Sequence, residues 1–190
     1  MIFTAFGDSN TRYWLGPLSG PGPLSLAWPA QLEQLLRRAG KDISFRNEGR
    51  PGGDTSFACR EFLRLTADSG GTVLAFGTND IKLPDATLTE YLGHIESILQ
   101  KNGGRPLLVL SILWFDYGYG FSGSQSRLPE WNGALASLCR RYDVPFRDTT
   151  PRFQERTEWY HDSPSHHLNA IGQEILAEEV LTGLREFHLV

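Results

Sequence analysis

Cysteine and methionine are scarce in this chain: of its 190 residues, 2 are cysteine and 1 is methionine. Two cysteines cannot form the network of disulfides that stabilises small secreted domains. Cys59 and Cys139 fall within apolar patterns of helical period, so we expect both to be buried free thiols.

Long apolar runs and clusters of positive charge are also missing. No stretch approaches the roughly 18 apolar residues of a membrane helix, and the net charge of −4 comes with scattered Lys and Arg. We therefore expect neither a membrane nor a nucleic acid as a partner. The segment MIFTAFGDSN lacks the basic start and cleavage site of a signal peptide, so we expect a cytoplasmic protein.

What the sequence does contain is an alternation of short apolar runs with amphipathic segments. The apolar runs predict strands at 2–6, 43–47, 72–76, 106–115 and 144–148. Most are too continuously apolar for a half-solvated sheet, which is typical of parallel strands covered by helices on both faces. Apolar residues at helical spacing between and after them predict five helices. The pattern predicts an α/β fold, a flavodoxin-like three-layer α/β/α sandwich with a five-stranded parallel sheet, in one domain over 1–190.

Polar segments follow the predicted strands. They read GDSNT, NEGRPGGDT and GTND after the first three strands, and HDSPSHHLN before the last helix. Ligands of open α/β sheets bind outside the carboxyl ends of the strands, so these segments should share one edge. A serine after a strand can simply cap the next helix, and an asparagine in a turn can simply bond its own backbone.

Together these motifs resemble the SGNH, or GDSL, hydrolase superfamily of esterases, lipases and acyl-CoA thioesterase I-like enzymes. The resemblance runs from Gly7 to Gly172 and includes the helical segment AWPAQLEQLL. It implies a single SGNH-hydrolase domain with Ser9 as the nucleophile and His167 as the base. It also implies an oxyanion hole formed by Ser9, Gly53 and Asn79.

The chemistry of these residue types agrees with the resemblance. A serine hydroxyl needs a base within hydrogen-bond reach to become a nucleophile. The oxyanion that forms during attack on an ester needs fixed N–H donors, and the glycines at 52 and 53 would let the backbone turn an N–H inward. The alternative is that Gly52 and Gly53 only form the turn.

The third member of the triad departs from the family pattern. The family places an acid three residues before the histidine, whereas Pro164 stands there and Asp162 precedes His167 by five residues. We predict that Asp162 is the triad acid and fixes the imidazole tautomer. Two alternatives stay open: His166 could be the base, or a backbone carbonyl could take the place of the acid. A metal site built from the nearby histidines and Asp162 is a further alternative, but we expect no metal and no cofactor.

Aromatic residues flank the same predicted edge. Trp14, Trp114 and Tyr117 are candidates to bind substrate, either by stacking on a sugar or by lining an acyl slot, and they could equally shield the end of the sheet. We predict a serine carboxylesterase or acetylesterase for short acyl esters, including O-acetyl groups on carbohydrate, with a small-molecule or carbohydrate ester as substrate. Two alternatives are a thioesterase or lysophospholipase for longer acyl chains and a catalytically weakened binding protein of the same fold.

Overall fold

The central sheet has five parallel strands. A computed structural model describes residues 1–115, 124–161 and 165–190. The sheet consists of β1 (Ile2–Gly7), β4 (Ser44–Gly49), β5 (Gly71–Ala75), β6 (Leu107–Leu110) and β7 (Phe146–Arg147), in the order β4-β1-β5-β6-β7. Two further strands, β2 (Trp14–Gly16) and β3 (Gly20–Pro21), form an antiparallel hairpin outside this sheet.

Helices cover both faces of the sheet. The long helices are α2 (Trp28–Arg38), α3 (Thr55–Thr66), α5 (Leu88–Asn102), α6 (Ser124–Arg141) and α8 (Ala170–Glu186). Helix α2 packs against α8, whereas α3 packs against α5 and α5 against α6. Right-handed crossovers between parallel strands place these two groups on opposite faces. The predicted flavodoxin-like α/β/α sandwich is confirmed.

Short helices follow the strand ends. They are α1 (Ser9–Arg12), α4 (Thr78–Lys82) and α7 (Thr150–Phe153), and 3₁₀ turns span Leu24–Leu26 and Thr157–Trp159. None of them was predicted, because four or five residues are too few to show a helical period. The hairpin β2–β3 was missed as well, since the Gly- and Pro-rich segment around it favours an irregular loop.

Two of the long helices begin with a side-chain cap. Thr87 caps α5 by accepting a hydrogen bond from the N–H of Glu90 at 3.2 Å, and it donates its hydroxyl to the Glu90 carboxylate at 2.7 Å. Asn169 caps α8 by accepting from the N–H of Gly172 at 3.0 Å. Each cap satisfies a helix N–H that has no intrahelical acceptor.

The fourth strand is shorter than its apolar run predicts. Strand β6 ends at Leu110, although the predicted strand extended to 115. The side chain of Asn132 accepts from the N–H of Ile112 at 2.8 Å and donates to its carbonyl at 3.0 Å. A side chain from α6 therefore replaces the neighbouring strand as the hydrogen-bond partner, and the chain leaves the sheet.

The two cysteines differ in burial. Both are free thiols, as predicted, but only Cys139 is buried, and Cys59 is half-exposed. The core around Cys139 consists of apolar side chains from the strands and the facing sides of the long helices, among them Phe6, Leu74 and Leu108.

Candidate active site

Ser9 lies where β1 ends. It is the first residue of α1, directly after Asp8, whose carboxylate caps this helix by accepting from the N–H of Asn10 at 2.9 Å. Ser9 is 3% exposed. In the first turn of a helix the backbone N–H groups have no intrahelical acceptor, so the N–H of Ser9 is available to a negatively charged oxygen beside its own hydroxyl.

His167 lies in the turn that precedes α8. The carbonyl of His167 accepts from the N–H of His161 at 2.8 Å, and its N–H donates to the hydroxyl of Ser165 at 3.0 Å. An isolated antiparallel bridge pairs Tyr160 with Leu168. Residues 160–161 and 167–168 therefore pair as a short antiparallel segment, which holds the turn in place. His167 is 9% exposed.

Asn10 joins the Ser9 helix to the His167 turn. Its side-chain amide donates to the carbonyl of His166 at 2.9 Å, and its side-chain oxygen accepts from the N–H of Leu168 at 2.9 Å. The two contacts lie on either side of His167. Because Asn10 follows Ser9 directly, this single side chain brings the nucleophile and base candidates together. The motif GDSN contains Asn10, but the sequence gives no sign of this contact.

A second layer of hydrogen bonds supports Asn10. The side chain of Gln173 in α8 donates to the carbonyl of Asn10 at 2.8 Å and accepts from the N–H of Trp28 at 2.8 Å. Gln173 is fully buried. The start of α2 and the start of α8 are thus both tied, through Gln173, to the backbone of α1.

Asn79 and Gly53, which follow the two strands that flank β1, are joined by a hydrogen bond. The amide of Asn79, at the start of α4, donates one N–H to the carbonyl of Gly53 at 2.7 Å. This contact fixes the amide plane of a half-buried side chain and leaves its second N–H for an oxyanion. The N–H of Gly53 itself donates to the carbonyl of Arg50 at 2.8 Å, so in this structure the predicted oxyanion donor is used by its own turn.

Gly77 is required for the position of Asn79. Gly77 precedes α4 with φ of +129°, and a Cβ there would lie 2.5 Å from Cγ1 of Ile112. Only glycine is compatible with both this φ and this close approach.

Two of the remaining predicted residues fall outside the part of the chain that the structure describes. Asp162, the predicted triad acid, and Tyr117 lie outside the described residues. Within residues 1–115, 124–161 and 165–190, no hydrogen bond joins the hydroxyl of Ser9 to the ring of His166 or His167. Trp14 is half-buried in the hairpin.

Trp114 is 8% exposed and packs its ring at 5.9 Å from that of Tyr160. The hydroxyl of Tyr160 donates to the carbonyl of Trp114. Trp114 also borders a cavity of about 330 Å³ with Gln125, Thr150 and Gln154 among its walls. Trp114 is thus mostly buried in the core, and its remaining surface borders a cavity whose walls combine apolar and polar side chains.

The two carboxylates near the predicted site, Asp8 and Asp80, accept hydrogen bonds from backbone N–H groups. Asp8 accepts from the N–H of Asn10 as described, and Asp80 accepts from the N–H of Thr55 at 3.1 Å on both of its oxygens. The hydroxyl of Thr55 also donates to Asp80 and lies 3.1 Å from Nδ1 of His94. Asp80 therefore fixes the start of α3, the helix that directly follows Gly53.

Burial and one lysine set the protonation of the site. Burial, together with the nearby ammonium of Lys82, lowers the pKa of His167 to about 4 and that of His166 to about 3. Burial raises the pKa of Asp8 to about 6, against the opposing effect of the Asn10 N–H and Lys82. At neutral pH both imidazoles are consequently neutral, the form that a general base requires. The sequence analysis missed Lys82 entirely.

The described part of the chain contains no cluster of side chains suited to a metal ion. Across those residues, no group of three or more His, Cys, Asp or Glu side chains is arranged to hold a metal ion. Asp162, the carboxylate of the metal alternative, lies outside them. No helix in the described ranges is both long and apolar enough to cross a bilayer.

The structure is an α/β/α domain in which the turns that carry Ser9 and Asn79 follow the parallel strands β1 and β5, and Asn10 joins the Ser9 turn to the His167 turn. The chain belongs to the GDSL-like lipase/acylhydrolase family, whose model matches residues 5–175. Membership places it among the esterases and acylhydrolases and confirms the resemblance read from the four motifs. No curated protein matches the sequence significantly.

Solved structures of this family share the fold at low sequence identity. A lipase/acylhydrolase from Enterococcus faecalis superposes with a TM-score of 0.84 at 18% identity, over 97% of this chain and 95% of that one. Axe2, an acetylxylan esterase from Geobacillus stearothermophilus, has a TM-score of 0.78 at 15% identity, over 96% and 93%. TesA has a TM-score of 0.76 at 19% identity, over 98% and 99%.

Proposed function

We propose that the protein is a serine esterase that cleaves short acyl esters through an acyl-enzyme on Ser9. The observation that carries this proposal is the pair of bonds from Asn10 to both neighbours of His167, since they bring the turn with the nucleophile against the turn with the base. Family membership indicates the class of reaction. Ser9, Asn79 and His167 are proposed as its nucleophile, oxyanion donor and base.

The reaction would proceed in two acyl transfers. The Ser9 Oγ attacks the ester carbonyl carbon while His167 takes the hydroxyl proton, and the resulting oxyanion is stabilised by the Ser9 N–H and the second amide N–H of Asn79. The protonated imidazole then donates that proton to the leaving alkoxide. Water attacks the acyl-enzyme with His167 again as base, releasing the carboxylic acid and restoring Ser9.

Two contacts of the proposed mechanism require a conformational change. The Ser9 hydroxyl has to come within hydrogen-bond reach of His167, a contact that often tightens only when substrate binds. The N–H of Gly53 joins the oxyanion hole only if it gives up its bond to Arg50. We retain Asp162 as the acid that orients His167.

The substrate we propose carries a small acyl group, such as acetyl, on a polar alcohol such as a carbohydrate. The cavity of about 330 Å³ beside Trp114 supports this, because its size suits a small ligand and its walls include the amides of Gln125 and Gln154 and the hydroxyl of Thr150. Tyr160 connects this cavity to the His167 turn through its bond to Trp114 and its bridge to Leu168. Axe2, an acetylxylan esterase, is similar in fold.

The test combines covalent labelling with a substrate series. A fluorophosphonate should label the wild type and the Ser137→Ala control, whose hydroxyl lies on the exposed face of α6, but not Ser9→Ala. Absence of labelling in the wild type contradicts the serine mechanism and favours the catalytically weakened binding protein.

The substrate series uses p-nitrophenyl acetate, octanoate and palmitate beside acetylated sugars. We expect kcat/KM to be highest for acetyl esters. A maximum at palmitate would instead support the thioesterase or lysophospholipase alternative.

A further inference from the structure

Lys82 lies beside the histidine pair, His166 and His167. It is the last residue of α4, the short helix that begins with Thr78 and Asn79. Its ammonium nitrogen lies 3.1 Å from Nε2 of His166. The contact spans 84 positions of sequence and is part-buried, so it is a tertiary contact between the two turns and not a local one.

The direction of this hydrogen bond fixes the tautomer of His166. An ammonium has three donors and no acceptor, so Lys82 donates and Nε2 accepts with its lone pair. Nε2 then carries no proton, and in the neutral ring the proton sits on Nδ1. Burial lowers the pKa of Lys82, and the carboxylate of Asp8 opposes this by favouring the ammonium form. Burial also favours the neutral form of His166. The bond needs an ammonium on Lys82 and a neutral imidazole on His166.

His166 is held on its backbone as well as on its ring. Its carbonyl accepts from Asn10 at 2.9 Å, and its ring lies 4.0 Å from the ring of His167, centroid to centroid. At this separation a charge on one imidazole strongly disfavours a charge on the other. A neutral His166 is therefore a condition for His167 to accept a proton during the reaction.

We propose that Lys82 is a positioning residue: by donating to Nε2 of His166 it locks that ring in the neutral Nδ1–H form and reserves proton transfer for His167. This rests on the proposed function, and it decides between the two histidines that the sequence left as alternatives for the base. The Nε2 of His166 cannot take the proton of Ser9 while it accepts from Lys82.

Titratable groups from two elements act on His167. Lys82 acts from α4, and His161 and His166 act from the turn before α8, whereas Asp8 at the start of α1 acts on Lys82. Of the residues described at this site, Lys82 is the one whose ammonium contacts an imidazole nitrogen, and it acts on both histidines. Its effect on His167 keeps that ring unprotonated to lower pH.

The first test reads the wild-type protein directly. In ¹⁵N-resolved NMR of the imidazoles, with the His166 signals assigned by their loss in His166→Gln, Nε2 should appear unprotonated and Nδ1 protonated at neutral pH. A protonated Nε2 on His166 overturns the proposal, whatever the catalytic activity.

The second test compares Lys82→Met with the conservative Lys82→Arg and with Lys41→Met, an exposed lysine away from the site. We expect Lys82→Met to lower kcat on p-nitrophenyl acetate about tenfold or more with a smaller change in KM, because a misplaced catalytic group slows the chemical step. The acid limb of its kcat/KM profile should move to higher pH, since the cation that disfavours protonation of His167 is gone. Lys82→Arg should recover most of both effects, and Lys41→Met should match the wild type.

The outcomes separate this proposal from the one it rests on. A folded Lys82→Met variant with wild-type kcat and pH profile overturns the role of Lys82 while the esterase activity stands. If the wild type neither hydrolyses esters nor labels at Ser9, the proposed function fails, and the NMR reading still decides whether Lys82 locks His166. If Lys82→Met does not fold, the NMR measurement on the wild-type protein still tests the proposal.

Discussion

The side-chain amide of Asn10 donates to the carbonyl of His166 at 2.9 Å, across 156 positions of sequence. The other end of the same amide accepts from the N–H of Leu168. One asparagine thus satisfies a carbonyl and an N–H on either side of His167, and both groups lie in a buried or part-buried setting. The residue after the candidate nucleophile therefore sets the position of the candidate base.

Replacing Asn10 by alanine should lower both stability and activity. The carbonyl of His166 and the N–H of Leu168 lose their partner, and an unsatisfied buried polar group costs about 1 to 3 kcal/mol. The His167 turn is then free to shift, and a displacement of about 1 Å can cost roughly 10² in kcat. Urea denaturation and ester hydrolysis measure the two effects.

Asn102→Ala is the matched control for Asn10→Ala. Asn102 donates to the carbonyl of Arg105 at 2.6 Å at the end of α5, far from the Ser9 turn along the sheet. This variant should lose stability and keep kcat. If Asn10→Ala loses stability yet keeps the wild-type kcat, Asn10 does not position His167 for the reaction.

Asn79 should contribute to the transition state more than to the fold. Removing one oxyanion donor costs about 10² to 10³ in kcat, so Asn79→Ala should reduce kcat by that factor with little change in KM. The lost bond to the carbonyl of Gly53 should lower the melting temperature only slightly, because Asn79 is half-buried. Steady-state kinetics on p-nitrophenyl acetate decide the point, and a tenfold or smaller drop in kcat counts against the role of Asn79.

The sheet and its long helices could be predicted because their signals are local. The run TVLAF predicts a buried strand, and Thr87 with Glu90 predicts a helix start, from residues that lie within a few positions of each other. Parallel strands also share one carboxyl edge by topology alone. That is why the sequence alone assigns Ser9, Gly53 and Asn79 to one edge.

The contacts that complete the candidate site could not be predicted, because they are single side chains that bridge distant turns. Asn10 and His166, or Lys82 and His166, meet only once the register of both turns is fixed, and no periodicity in the sequence encodes that register. The same holds for Asn132, which ends β6 from another helix. The hydrogen bond from the Gly53 N–H to the Arg50 carbonyl likewise depends on the conformation of the turn, which its composition does not determine.

Gly77→Ala should destabilise the protein and impair catalysis together. At φ of +129° a Cβ is strained, and it would lie 2.5 Å from Ile112, so we expect a cost of about 1 to 3 kcal/mol. Relief of the clash would shift the start of α4, which carries Asn79, so kcat should fall as well. Gly93→Ala, in the middle of α5 with open space around it, should instead gain about 0.5 to 1 kcal/mol and keep kcat. Equal stability of the two alanine variants would contradict the conformational requirement at Gly77.

The stability of the protein should fall as the pH is lowered from 6.5 towards 4, and His167 should account for part of this slope. The pKa of His167 is lowered from 6.5 to about 4 on folding, so the unfolded chain binds a proton in this interval and the folded protein does not. Its contribution is present above pH 6.5 and is lost as the pH falls through about 4. Asp8 acts in the opposite direction: its pKa is raised from 3.8 to about 6, so its contribution is full below 3.8 and is lost as the pH rises through about 6.

Two variants should therefore change the pH dependence with opposite sign. His167→Gln should flatten the decline in the free energy of unfolding between pH 6.5 and 4, by on the order of 1 to 2 kcal/mol. Asp8→Asn should make the decline steeper, because it removes the group that gains stability as the pH falls. Urea denaturation at a series of pH values measures both slopes. Parallel curves for His167→Gln and the wild type would mean that the imidazole of His167 titrates alike in the folded and unfolded chains, which is incompatible with its burial beside Lys82.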